Sequence, residues 1–309
     1  MAGLPKRRKK LIMKKIRVLV AVGMVSALLA SGCNDAVKGR LPFLNKDKPK
    51  TTVQETAYQE KANPQKTKAE TDKEVNDKVH DMVEKIRKGD WNGAIATGES
   101  AYRLDPKNEP MLEVLTEAYD FKNHLEGLSA EEKKNYIKVA RAHMNLDPAN
   151  RFKKHALARV LIEVGDLTEG NKLALEAYNT APDKPAELMD TYGWGLWLAN
   201  NKTEALKIYT SLYNLKPATL FQLYRTGVVM ELADKKKSIQ MFHATVMAAD
   251  MALTWEENKD NLSAVSLITK IRNDAEKEEK RLLAGGNAID SNFSLAILAN
   301  IRPDQYPLR

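Results

Sequence analysis

The chain has a single cysteine, Cys33, among its 309 residues. No disulfide can close within it, so the fold must stand on packing alone. It also lacks a nucleotide-binding glycine loop, an HExxH, a GxSxG and any pair of cysteines. Without these motifs, phosphoryl transfer, metal-assisted hydrolysis and acyl transfer have no support in the sequence. We therefore expect no enzyme: no catalytic residues, no metal and no diffusible cofactor. The five histidines, His80, His124, His143, His155 and His243, show no close metal-ligand pairing. Glu256, Glu257 and Asp260 read as the solvated face of a charged helix rather than as catalytic carboxylates.

Acidic residues are missing from positions 1–32, which carry Lys6, Arg7, Arg8, Lys9, Lys10, Lys14, Lys15 and Arg17. That stretch accounts for the whole formal charge of +8, because the other 41 bases are matched by 41 acids. A sequence pI near 9.2 therefore does not point to nucleic acid, and no nucleic-acid partner is expected. A long apolar run is missing too. The run from Val18 to Leu29 is 12 residues, against the roughly 20 that a helix needs to cross the hydrocarbon core. A cationic start, a short apolar run and small residues after it make 1–32 a cleavable secretory leader.

The residues at its end, Leu29-Ala30-Ser31-Gly32-Cys33, resemble the lipobox of bacterial lipoproteins. In that family a Leu usually stands three residues before the cysteine, where this chain has Ala30. The resemblance implies cleavage before Cys33 and a covalent diacylglycerol and N-acyl lipid on it. Acyl methylenes worth about 0.8 kcal/mol each would make that anchor stable. The implied location is the extracytoplasmic side of the bacterial cell envelope. Asn34 stands where the inner-membrane retention signal of some lipoproteins has Asp, which favours the outer membrane in a cell that has one. Residues 33–74 follow as a flexible linker: the stretch is rich in Lys, Thr, Gln, Glu, Asn and Pro and has little to bury. Its coil reach is roughly 35 Å.

From about residue 75 the pattern is helical. Four segments close alike, at Pro106, Pro148, Pro182 and Pro217, and a proline at each joint marks where one hairpin stops and the next begins. Before Pro217, Leu188, Met189, Tyr192, Gly193 and Leu196 share one face of a first helix, while Ala205, Leu206, Tyr209 and Leu212 share one face of a second. "ANNKT" at 199–203 supplies the turn. This pattern resembles the tetratricopeptide repeat (TPR), whose markers fall here on Gly193, Ala205, Tyr209 and Pro217. In the preceding repeat they fall on Ala158, Gly170, Ala174 and Pro182. Ala94, Ala101 and Pro106 match in the hairpin before Pro106, where Gly98 takes the aromatic place. In the repeat before Pro148, "KNHLEGLSAEE" reads as a widened turn.

The resemblance implies an all-α, TPR-like solenoid, a right-handed superhelix of hairpins, over 75–250. Capping helices at 251–283 and a tail at 284–309 complete the expected layout. In such solenoids the first helices line a concave groove. Trp194 points away from the packed face of its helix and Trp197 sits at the shoulder, which makes both candidate partner anchors. Phe152, His155 and Arg159 on one neighbouring first helix, and Leu223 and Met230 on the other, complete the candidate surface. The layout implies a membrane-anchored scaffold that binds an envelope protein. A receptor for a peptide or cell-wall glycan held in the groove is the alternative.

Overall fold

The computed structural model describes residues 66–215, 217, 219–286 and 289. Twelve helices occupy this region. They are α1 (Lys68–Arg87), α2 (Trp91–Leu104), α3 (Glu109–Leu125), α4 (Ala130–Leu146), α5 (Arg151–Val164) and α6 (Leu167–Asn179). After them come α7 (Ala186–Leu198), α8 (Lys202–Leu215), α9 (Leu220–Met230), α10 (Lys235–Leu253), the single turn α11 (Glu256–Lys259) and α12 (Leu262–Leu283). Successive helices pair as antiparallel hairpins, α3 with α4, α5 with α6, α7 with α8 and α9 with α10, so the described residues form a TPR-like α-solenoid. Cys33, the leader and most of the linker lie outside the described residues. No helix among the described residues is long and apolar enough to cross a membrane.

Local chemistry sets the boundaries. Asp90, Asn108, Asn150, Asp166, Thr219, Asp234 and Asn261 each cap a helix by accepting a backbone N–H from its first turn. Pro106, Pro148, Pro182 and Pro217 all fall between hairpins, as their inability to continue a helix requires. Gly165 ends α5 with φ of 99°, a left-handed conformation that costs glycine nothing.

Two boundaries differ from the sequence reading. The helix α1 starts at Lys68, inside the stretch read as linker, and is tied down by buried Val75, Met82 and Ile86. "KNHLEGLSAEE" does not widen a turn but lengthens both α3 and α4 to 17 residues. A capping box sharpens the joint: the Ser129 side chain accepts from the Glu132 N–H, and the Glu132 carboxylate accepts from the Ser129 N–H.

Close crossings rest on small residues. A Cβ added to Gly193 would meet Ile208 Cγ2 and Tyr209 Cε2 at 2.9 Å, so α7 and α8 touch nearly backbone to side chain there. Gly98 between Met82 and Leu115, and Gly227 against Phe242, serve α2 and α9 in the same way. Ala94, Ala101, Ala158, Ala205 and Tyr209 are fully buried, where the repeat pattern puts them.

The row of hairpins does not stay open. The helix α12 packs along α10 and also reaches α9 and α3. At its start the buried Ser263 hydroxyl donates to the Ile86 carbonyl and accepts from Trp91 Nε1 at 2.6 Å. The end of the solenoid thereby meets the α1–α2 turn. One apolar cluster joins Val75 and Met82 of α1 to Leu267, Ile268 and Ile271 of the last helix. Ile289, in the stretch read as tail, packs against Phe242, Ala275 and Leu282.

Candidate functional site

Closure turns the first-helix faces inward and brings their charged groups together. Arg159 on α5 donates to Asp120 on α3 at 2.8 Å, and to Glu163 one turn along its own helix at 3.3 Å. Arg225 on α9 donates to Asp190 on α7 at 2.8 Å and lies 3.7 Å from Glu163. Each carboxylate at the ends is also held from the second-helix side: Tyr136 donates to Asp120 at 3.0 Å and Tyr209 to Asp190 at 2.7 Å. The result is a ladder running from α3 through α5 to α7 and α9, with three carboxylates facing two guanidinium groups.

His124 stands at the open rung. Its Nε2 lies 3.6 Å from both Asp120 Oδ1 and Glu163 Oε1, and its ring rests on Phe221 of α9, 4.9 Å between centroids. Burial alone would pull its pKa down, but the Glu163 and Asp120 carboxylates outweigh that and raise it above the ordinary histidine value. Burial likewise pushes the Tyr136 and Tyr209 phenols far above their ordinary range, so both remain donors.

Each of the seven candidate partner-binding residues lies within the described region. Trp194 is half-buried with the Arg225 guanidinium 5.1 Å from its ring, packed with Ala158, Ile162 and Ala174. Its direction off the α7–α8 interface is as expected, but that direction leads into the closed ring. Trp197 is half-buried under the Lys202 ammonium, 3.5 Å from its ring. The Arg159 guanidinium is consumed by the ladder. His155 shares a 2.7 Å hydrogen bond with Thr191, and burial together with nearby Arg159 depresses its pKa to about 4, so it stays neutral at physiological pH.

Leu223 and Met230 require correction as partner-binding candidates. They are 0% and 2% exposed, because α9 is wrapped by α8, α10 and α12 and presents no free apolar face there. Of the seven candidates only Phe152 is well exposed, at 48%, beneath the Arg151 guanidinium at the start of α5.

Two other groupings bring metal-ligand residue types together. Glu109, Glu113 and His143 converge on the α3–α4 surface, and Asp120, His124 and Glu163 converge at the ladder. In both, a cation of the protein already sits on a carboxylate: Lys153 lies 2.5 Å from Glu109, and Arg159 lies 2.8 Å from Asp120. A cleft of about 180 Å³ remains beside the ladder, lined by His124, Phe221, Tyr224, Leu267, Ile271 and the Lys270–Asp274 pair.

The repeat pattern alone does not single out the ladder. Its signal was there: Arg159, Asp190 and Arg225 each interrupt an apolar helix face, and the pairs Asp120/Arg159 and Asp190/Arg225 are about one repeat apart.

No family model and no curated protein matches the sequence. Among solved structures, the crystal structure of MamA protein aligns with 60% of this chain and 97% of its own, at a TM-score of 0.42 and 15% identity. A second MamA crystal structure aligns with 64% of this chain and 95% of its own, at 0.38 and 15%. The human IFIT1 dimer with PPP-AAAA aligns with 63% of this chain and 46% of its own, at 0.38 and 18%.

Proposed function

We propose that the chain is a lipid-anchored, non-catalytic TPR-like scaffold of the bacterial cell envelope that binds a protein partner. One observation carries the non-catalytic reading: the charged side chains of the ladder are bonded to one another, each carboxylate to a guanidinium group. Asp120, Arg159, Glu163, Arg225 and Asp190 spend their charge on one another instead of converging on an open cavity. Such a ladder is framework. The lipid anchor rests on Leu29-Ala30-Ser31-Gly32-Cys33 and on the charge confined to the leader.

With the inner face closed, the partner surface belongs at the edges of the hairpins. The edge that carries the links between hairpins exposes Phe152 at 48% and Leu215 at 60%. Aromatic side chains such as Phe152 are enriched at interfaces. The receptor alternative has less to stand on, because the cleft of about 180 Å³ beside the ladder and another of about 240 Å³ lined by Glu99, Tyr102 and Lys138 are both below the roughly 300–1,000 Å³ of typical ligand pockets.

The test is a photo-crosslinker at position 152 in living cells, with position 223 as the buried control. An envelope protein attached from 152, absent from 223 and lost in Cys33→Ala, is the expected outcome. Equal yields from 152 and 223 would reject the edge as the docking surface. Retention of the Cys33→Ala chain in the membrane fraction after a carbonate wash would reject the lipid anchor.

A further inference from the structure

We infer that the ring of hairpins is clasped shut by a proton: charged His124 ties Asp120 and Glu163 together where α3 meets α5, α9 and α12, and neutral His124 lets that seam loosen. The argument starts from charge balance. Asp120, Glu163 and Asp190 are three anions held off water, while Arg159 and Arg225 supply two fixed cations. Within a buried network an unbalanced charge is costly, and His124, 3.6 Å from two of the carboxylates, is placed to supply a third cation.

The groups around it act in known directions. On its own helix Asp120 favours the charged ring. On α5 Glu163 does the same and Arg159 opposes it. From α4 Tyr136 donates to Asp120, and from α9 Arg225 draws on Glu163. On α12 Lys270 and Asp274, which line the adjoining cleft, pair with each other at 3.1 Å and cancel.

Location gives the proton its leverage. The His124 ring packs on Phe221 of α9, and the cleft beside it is walled by Leu267 and Ile271 of α12. The same seam is where the end of the solenoid returns to its beginning, through Ser263, Trp91 and Ile86. Losing the His124 charge leaves Asp120 and Glu163 to share the arginines alone, at the junction that keeps the ring closed. A group whose pKa is raised in the closed form contributes fully below its ordinary value of about 6.5 and is lost as pH rises through its raised value. The seam therefore loosens toward alkaline pH.

The experiment follows histidine ring resonances of the full chain in detergent from pH 5.5 to 9, beside hydrogen exchange of α3 and α12 peptides corrected for the intrinsic effect of pH. We expect a His124 midpoint above 6.5, with exchange in both helices accelerating through that midpoint. The acceleration should be about tenfold for each pH unit by which the midpoint exceeds 6.5, and His124→Gln should abolish this pH dependence. A midpoint at or below 6.5 overturns the inference, as does acceleration that persists in His124→Gln. Should that variant fail to fold, acceleration in the wild type at a pH away from the His124 midpoint overturns it equally.

Discussion

Replacing Arg225 with Met gives the sharpest test of the inner ladder. The side chain is 8% exposed, donates to Asp190 at 2.8 Å and lies over the rings of Trp194 and Phe221. Met fills most of its volume, so the cavity contribution is small and the electrostatic loss dominates. Stranding one partner of a buried pair costs about 3–5 kcal/mol, and the lost cation–π contacts add about 0.5–2 kcal/mol. At about 2–4 °C per kcal/mol for a domain of this size, the two losses together should lower the melting temperature by roughly 7–28 °C. The control is Arg141→Met. It breaks a two-pronged pair with Glu169 whose side chains are 42% and 34% exposed, and a screened pair of that kind is worth at most about 1 kcal/mol. Urea unfolding followed by circular dichroism measures both. If the two variants lose similar stability, or if Arg225→Met loses less than about 1 kcal/mol, the ladder is not desolvated and the reasoning fails.

Two further outcomes follow from the geometry. Gly193→Ala would drive a methyl to within 2.9 Å of Ile208 and Tyr209, and should cost about 1–3 kcal/mol of stability by urea unfolding; a neutral effect would mean that α7 and α8 can part freely. His155, whose pKa is depressed to about 4, contributes stability that is fully present above its ordinary value of about 6.5 and is lost as pH falls toward 4. A melting series over that window should therefore decline by about 2–3 kcal/mol, and His155→Gln should flatten the slope.

What was legible in the sequence was local, or recurred at a fixed interval. Gly193, Ala205, Tyr209 and the closing Pro217 mark one hairpin because each meets its neighbour within a single repeat, and proline imposes its constraint on the backbone directly. The fate of the first-helix faces was not legible, because it depends on curvature. Trp194 was assigned the right direction and the wrong surroundings: periodicity says which way a ring points, not whether a helix far along the chain waits there. Leu223 and Met230 failed for the same reason. Their burial comes from α8, α10 and α12 packing around α9, and the return of α12 to α9 and α3 is encoded by no pattern within one hairpin. His124 looked like any histidine near a helix end, since the carboxylate Glu163 and the ring of Phe221 that define it are 39 and 97 residues away.

The ladder also bears on why the ring closes at one curvature. Apolar inner faces would be satisfied over a range of pitches, since burial is non-directional. The Arg159–Asp120 and Arg225–Asp190 contacts tie first helices about one repeat apart, and Arg225–Glu163 ties across two. These are directional bonds met at one setting. Polar burial of this kind costs stability and selects geometry. The hypothesis is tested by Asp190→Leu with Arg225→Met in one chain. Glu163 keeps Arg159, and Tyr209 retains the Asp190 carbonyl at 3.3 Å as an acceptor, so few groups are orphaned. The double variant should recover most of the stability that Arg225→Met loses. Small-angle scattering should at the same time show a broader distribution of distances within the solenoid. An unchanged distribution together with recovered stability would assign the setting of the ring to its apolar contacts, and leave the ladder as charge compensation alone.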